Sequence, residues 1–138
     1  MKNVQITVEA TAHAPIEKVW YAWTTPEDIM AWNNASDDWH TPLATNDLRV
    51  GGSFLSTMAA KDGSFNFDFG GIYDEVVLHK VISYSLSDGR RVKVLFTDNG
   101  NETFISETFD AENENPVEMQ QAGWQAILNN FKNHVESK

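Results

Sequence analysis

Side chains able to do chemistry are few in this chain, and they are widely separated. The four histidines are His13, His40, His79 and His134. Only the run Asp37-Asp38-Trp39-His40 places acids beside a histidine, whereas a metal site needs three or four converging ligands. We therefore predict no metal site. An acid–base pair of His40 with a cavity carboxylate, able to serve a cyclase or isomerase reaction, is the enzymatic alternative.

Motifs of the common catalytic sites are absent from the sequence. The chain has no nucleophile elbow, no phosphate-binding loop and no HExxH zinc pattern. It contains no cysteine, which excludes disulfides and thiolate chemistry. We therefore favour a binding protein over an enzyme, and we expect no cofactor.

Composition and charge favour one folded domain that avoids polyanions. The 138 residues are 41% hydrophobic and 12% aromatic, enough for a buried core. The net charge of −10 repels phosphate groups, so nucleic acids and membranes are not expected partners. The first residues lack the apolar core of a signal peptide, and no run is long enough to span a bilayer. We therefore expect one cytoplasmic domain over residues 1–138, as a monomer or homodimer.

The elements that must position any site begin with a strand and two short helices. Apolar and polar residues alternate over residues 3–12, the pattern of a half-buried strand. Pro15 suits a first helical residue, and an apolar stripe runs from Ile16 to Trp23 at helical spacing. Thr25 followed by Pro26 predicts the N-cap of a second helix.

A series of strands and turns is predicted for the middle of the chain. Residues 33–42 are polar and predict a loop, and Gly70-Gly71 predicts a bulge or sharp bend. Turn residues separate the apolar runs, so the strands should form an antiparallel meander. The predicted strands cover residues 43–49, 53–60, 65–78 with the bend at Gly70-Gly71, 82–86, 92–96 and 103–110.

One long amphipathic helix is predicted from Pro116 to about Glu136. Asn115 with Glu118 three residues later has the form of a capping box. Gly123 interrupts the helix and costs about 1 kcal/mol relative to alanine. We expect sheet or ligand to approach closely at that glycine.

Short motifs spread over nearly the whole chain carry a family resemblance. They are Ala14-Pro15, Val19-Trp20, Trp23-Thr24, Pro26-Glu27, Trp32, the runs 47–54 and 71–76, and Gly123-Trp124 with Leu128. Together they resemble the prokaryotic relatives of the C-terminal domain of the heat-shock-protein-90 ATPase activator, in the START-like (SRPBCC) superfamily. The resemblance implies an α+β helix-grip fold, in which a curved antiparallel sheet wraps around a long C-terminal helix and encloses a cavity.

The resemblance also implies where a ligand would bind. In this fold the inner face of the sheet and the long helix line the cavity, and such pockets are mostly apolar with a few polar groups. Tyr73, Tyr84 and His40 are the polar candidates. The predicted ligand-binding residues are Trp32, Trp39, His40, Phe67, Tyr73, Tyr84, Trp124, Leu128 and Phe131.

The predicted function is therefore binding of a small hydrophobic or aromatic molecule. One alternative is activation of a chaperone ATPase, although the eukaryotic activator has an additional N-terminal domain for which we expect no counterpart in this chain. A cyclase or aromatase acting on small aromatic substrates is the other. The charged residues of the strands receive structural interpretations. Asp47 and Arg49 lie on one strand face and pair with neighbours, although Arg49 is also a candidate to meet a ligand carboxylate. Glu75 and Glu107 are candidate buried carboxylates, but we assign them to solvated strand faces.

Overall fold

The computed structural model describes residues 4–34 and 36–137. In this part of the chain, seven strands form one antiparallel sheet in the order β1-β7-β6-β5-β4-β3-β2. The elements are β1 (Gln5–Ala12), α1 (Ile16–Thr24), α2 (Pro26–Trp32), β2 (Trp39–Asn46), β3 (Ser53–Ala60), β4 (Asn66–Val77), β5 (Val81–Leu86), β6 (Arg91–Asp98), β7 (Thr103–Asp110) and α3 (Val117–Glu136).

The helices cover one face of the curled sheet. Helix α3 packs mainly on β1. Helix α1 contacts β6, helix α2 contacts β2, and both also pack against the C-terminal half of α3. This is the helix-grip arrangement, so the predicted α+β fold is confirmed. No described helix combines the length and the apolar character needed to cross a membrane.

The inner face of the sheet is built from rows of side chains that run across the strands. In one row Val8 of β1 lies opposite Glu107 of β7, which lies opposite Val94 of β6. Val94 in turn lies opposite Ile82 of β5. The three apolar members are almost completely buried, so this row places one carboxyl group in an otherwise apolar surface.

Several local predictions are confirmed, but the N-cap predicted for α3 is wrong. Strand β3 has the predicted bounds. Thr25 is the N-cap residue of α2 as predicted, although its side chain makes no capping hydrogen bond. Pro116, not Asn115, is the N-cap residue of α3. The Asn115 side chain is engaged elsewhere, because its Nδ2 donates to Glu112 Oε2 at 2.9 Å.

The predicted loop over residues 33–42 is wrong at its end, because β2 begins at Trp39. A register irregularity between His40 and Leu43 accommodates Pro42, which has no backbone N–H for the ladder. The strand also ends early, at Asn46. In the turn that follows, Arg49 Nε donates to Asp47 at 2.9 Å, so Arg49 has a structural partner, but the two residues lie in a turn and not on a strand face.

The bulge expected at Gly70-Gly71 lies instead at Asp74. Both glycines pair regularly with β3, and the register shifts between Tyr73 and Glu75. Glycine is needed at position 71 because a Cβ there would lie 2.5 Å from the Ser85 carbonyl oxygen of the neighbouring strand. The glycine therefore permits a close approach of backbones without breaking the ladder.

Candidate functional site

A cavity of about 400 Å³ lies between the sheet and the N-terminal half of α3. Because α3 packs mainly on β1, it leaves the opposite half of the sheet partly uncovered. The cavity is lined by Trp23, Ile29, Trp32, Asn33, Thr45, Phe54, Ser56, Met58, Phe67, Phe69, Tyr73, Ile82, Tyr84, Arg90, Glu107, Glu112, Asn115, Met119, Gln120, Gly123, Trp124, Ile127 and Leu128.

Two tryptophans from α1 and α2 form one wall of the cavity. The rings of Trp23 and Trp32 lie 5.1 Å apart, measured between centroids, and both pack edge-on against Phe131 of α3. Trp32 Nε1 donates to the Ala22 carbonyl oxygen at 3.0 Å, which satisfies its polar group. Phe131 itself is fully buried behind the two tryptophans and does not reach the cavity.

Aromatic side chains of β3, β4 and β5 form the opposite wall. Phe54 packs against Phe69, Tyr73 and Tyr84, with ring centroids 6.0, 5.3 and 4.7 Å away. Trp124 of α3 stacks on Phe109 at 3.8 Å with an interplanar angle of 11°. These contacts hold the rings in place, so the wall is formed before any ligand arrives.

Helix α3 presents one face to the cavity. Its lining residues recur at helical spacing: Met119, Gln120, Gly123, Trp124, Ile127 and Leu128. The sheet does not approach Gly123 closely, contrary to one part of the prediction, because a Cβ there would meet no atom of another element within 4 Å. Gly123 therefore leaves space open on the cavity side of the helix.

Glu107 is the charged group that lies deepest among the cavity-lining residues. Its residue is 7% exposed, and it makes no hydrogen bond or ion pair with the described residues. Burial raises the pKa of its carboxyl group from 4.5 to about 8, so the group is mainly protonated at neutral pH. The prediction that this residue lies on a solvated face is wrong, whereas Glu75 is exposed as predicted.

The two predicted tyrosines line the cavity near Glu107. Burial, and then the charge of Glu107, raise the pKa of Tyr84 well above its usual value. Tyr73 is also buried, which raises its pKa, but its hydroxyl has a partner and donates to Asn46 Oδ1 at 2.5 Å. Asn46 Nδ2 then donates to the Thr24 carbonyl oxygen at 2.7 Å, which ties β4 and β2 to α1.

The rim of the cavity is open between β4 and the start of α3. Four lining residues there are exposed to solvent: Thr45, Phe67, Asn115 and Met119. The β7–α3 loop beside them is rigidly hydrogen-bonded, because Gln120 Nε2 donates to two loop carbonyls and its Oε1 accepts the Glu112 N–H. Arg90, also at this end, donates to Asp88 at 2.7 Å.

Six of the nine residues predicted to bind ligand line this cavity. They are Trp32, Phe67, Tyr73, Tyr84, Trp124 and Leu128. Three lie elsewhere: Phe131 is behind the tryptophans, His40 is exposed, and Trp39 packs outside the cavity against Phe65 and Phe67. Because His40 does not reach the cavity, the acid–base pair predicted for it is not assembled.

Glu107 is a cavity residue that the sequence analysis considered as a buried carboxylate but assigned to solvent. The alternation of β7 contained the signal, because Thr103, Ile105 and Phe109 share the inner face with Glu107. Within residues 4–34 and 36–137, no group of three or more His, Cys, Asp or Glu side chains could hold a metal ion.

Known proteins with this architecture include close relatives of the chain. The solution NMR structure of the AHSA1-like protein from Aeromonas hydrophila is 48% identical, with a TM-score of 0.90 over 97% of this chain and 93% of that one. A solution structure from Cytophaga hutchinsonii is 56% identical, with a TM-score of 0.83 over 96% and 92%. A Chromobacterium violaceum crystal structure, at 22% identity and a TM-score of 0.83 over 96% of each chain, shares the fold.

The sequence of this chain also matches a family model directly. No curated protein gives a significant match. Residues 13–136 match the model described as Activator of Hsp90 ATPase homolog 1-like protein, which covers the helices, β2 to β7 and the whole cavity. The chain therefore belongs to the Activator of Hsp90 ATPase homolog 1-like family.

Proposed function

We propose that this protein binds a small hydrophobic or aromatic molecule in the cavity between the sheet and α3. The observation that carries the proposal is the cavity of about 400 Å³ with aromatic walls. Pockets of this volume, lined by apolar groups with a few polar ones, are typical of small-molecule sites. The rings of those walls are already held by contacts with one another, so binding requires little ordering of side chains.

The physical driving force is removal of apolar surface from water. An aromatic ligand that buries about 150–250 Å² would gain about 4–6 kcal/mol before the costs of association. Exposed Phe67 and Met119 at the rim continue the apolar surface outward. A ligand entering between β4 and α3 would therefore meet apolar side chains at the rim as well as in the interior.

A thermal-shift screen against lipids, flavonoids and aromatic metabolites tests the proposal. A ligand that binds the native state raises the melting temperature as its concentration exceeds Kd. Gly123→Leu should abolish the shift, because the new side chain would occupy the space that Gly123 leaves open. Ala122→Leu places the same side chain on an exposed position next to it and should leave the shift unchanged. A hit that is unaffected by Gly123→Leu would contradict binding in this cavity.

A second candidate function follows from the family match. The family is described by its likeness to an activator of a chaperone ATPase, and the acidic surface offers charge for a protein contact. An ATPase assay with heat-shock protein 90 tests this role directly. Stimulation of the ATPase that persists in the Gly123→Leu variant would support a function of the protein surface. If the wild-type protein leaves the ATPase rate unchanged, this candidate function is ruled out.

A further inference from the structure

We propose that Glu107 is the recognition group of the ligand site and that the natural ligand is an amine whose ammonium group binds its carboxylate. This inference rests on the proposed function, because it names the chemical class of ligand that the same cavity takes. The proposal gives the buried Glu107 side chain a role in binding, since apolar packing alone does not require a carboxyl group at this position.

The position of Glu107 is the first argument. The side chain lies in the cavity wall between Val8 and Val94, on the neighbouring strands, with no hydrogen-bond partner among the described residues. No side-chain nitrogen or oxygen of the described residues is both buried and unpartnered, so the carboxyl oxygens of Glu107 are open to the cavity. Apolar surroundings make an ionised carboxyl group costly unless it gains a partner. A donor on the ligand would supply the missing partner.

The other titratable groups of the cavity favour a cation over an anion. Tyr73 donates to Asn46, Arg90 pairs with Asp88, and Glu112 accepts hydrogen bonds from the β7–α3 loop. Tyr84 lies close enough for the charge of Glu107 to raise its pKa. Within the described chain, α1, α2, β1, β2, β3, β6 and α3 contribute no titratable side chain to the lining. When Glu107 is ionised, the interior offers a negative charge to a ligand and would repel a carboxylate.

The aromatic walls suit the same ligand class. Cations bind favourably over the faces of aromatic rings, most strongly over tryptophan. Trp124, Tyr84 and Phe54 line the cavity together with Glu107. An amine with an aromatic or aliphatic body would place its apolar part against these rings and its ammonium group at the carboxylate.

Proton exchange gives this interaction a distinctive signature. The empty cavity holds Glu107 mainly protonated at neutral pH, because burial raises its pKa to about 8. An ammonium ion stabilises the ionised carboxyl group, so binding must release a proton from Glu107. Amine affinity should therefore rise with pH, by at most about tenfold per unit, and level off above pH 8. A neutral ligand of the same shape should not show this rise.

Titration calorimetry with tryptamine, tryptophol and indole-3-propionate tests the inference. The three ligands share an indole body and differ in carrying an ammonium, a hydroxyl or a carboxylate group. At pH 8 tryptamine should bind at least about tenfold more tightly than tryptophol, and indole-3-propionate most weakly. With wild-type protein at pH 7, the binding enthalpy of tryptamine should depend on the ionisation enthalpy of the buffer, because its binding releases a proton. The binding enthalpies of the other two ligands should not depend on the buffer.

Two variants separate recognition from folding. Glu107→Gln keeps the side-chain shape and should lower tryptamine affinity at least about tenfold while changing tryptophol affinity less than threefold. Glu75→Gln, on the exposed face of β4, should leave all three affinities unchanged. Proton release in the wild-type protein provides a result that does not depend on either variant folding.

The possible failures are distinguishable. Equal binding of tryptophol and tryptamine without proton release would overturn the inference and leave the proposed function standing. A panel hit from another class, with no binding of any indole ligand, would also overturn it. Silence of the whole panel would overturn the proposed function, and this inference with it.

Discussion

The two halves of the sheet differ in what covers their inner faces. The half formed by β1, β7 and β6 lies under side chains of the helices and is filled, with Val8, Val94, Ile105, Phe109 and Phe131 almost completely buried. The half formed by β2, β3, β4 and β5 faces the cavity, and the exposed Phe67 lies at its rim. The fold thus concentrates its close packing on one side and leaves binding surface on the other.

This contrast teaches how one sheet serves both stability and recognition. Tightly packed interiors tolerate little loss of volume, whereas residues around a cavity are less constrained by their neighbours. Glu107 lies where the two halves meet, since its cross-strand neighbours Val8 and Val94 are core residues and its own side chain lines the cavity. Substitutions on the two sides should therefore have unequal effects.

The largest effect is expected from truncating a phenylalanine in the filled half. Phe131→Ala removes a fully buried ring that supports Trp23 and Trp32, and it should lower the free energy of unfolding by about 3–5 kcal/mol. Phe67→Ala, at a residue that is 44% exposed, should cost less than about 1 kcal/mol. Urea unfolding of both variants measures the difference, and equal losses would contradict the division into two halves.

A pH-dependent effect is expected at the boundary. Between pH 4.5 and about 8 the folded protein retains the Glu107 proton that the unfolded chain has lost, so stability falls as pH rises. The contribution is at most about 1.4 kcal/mol per pH unit, or up to about 4 kcal/mol between pH 5 and 8. Glu107→Gln should remove this dependence of the free energy of unfolding on pH. The stability of the variant relative to the wild type should therefore increase as pH rises and stay constant above pH 8.

Urea unfolding from pH 5 to 9 tests that expectation. Glu75→Gln on the exposed face of the sheet should run parallel to the wild type over this range, which separates burial from loss of charge. Parallel curves for Glu107→Gln and wild type would show that the Glu107 carboxyl group is solvated, contrary to its place in the cavity wall.

The smallest effect is a stabilisation on the cavity side of α3. Gly123→Ala should raise the free energy of unfolding by up to about 1 kcal/mol, because alanine favours the helix and its Cβ meets open space. Gly71→Ala is the contrasting change, since its Cβ would clash with the Ser85 carbonyl oxygen, and it should destabilise. Thermal melts of the two variants should shift in opposite directions.

Much of the architecture could be predicted from residue patterns, because periodicity reports which face is buried. The alternation of β1 and the helical stripe of α1 were sufficient to place both elements. The start of β2 was missed because Pro42 and polar neighbours conceal a strand that pairs through a register irregularity. Local composition cannot reveal such a partner, since it comes from β3, a separate segment of the chain.

The candidate site was harder to predict than the fold. Trp124 and Leu128 could be placed on one helical face, but the depth of a residue depends on how the sheet curls and where α3 crosses it. Phe131 was predicted to line the cavity and lies one layer too deep, behind Trp23 and Trp32. Glu107 was assigned to solvent because carboxyl groups usually lie there, and its buried row becomes visible only when neighbouring strands are aligned.

The two ends of α3 are anchored to different extents. In the C-terminal half, Asn130 donates to the Asn34 carbonyl oxygen, His134 Nε2 lies 2.8 Å from Asp28, and Glu136 accepts the His13 N–H at 2.7 Å. Gln120, near the other end, bonds only to the loop that precedes the helix, as far as the described residues show. Between these ends, Gln125 Nε2 donates to the Glu9 carbonyl oxygen at 3.0 Å and Trp124 stacks on Phe109. The cavity-lining turns of α3 are therefore held by the sheet itself, in addition to the contacts at the two ends of the helix.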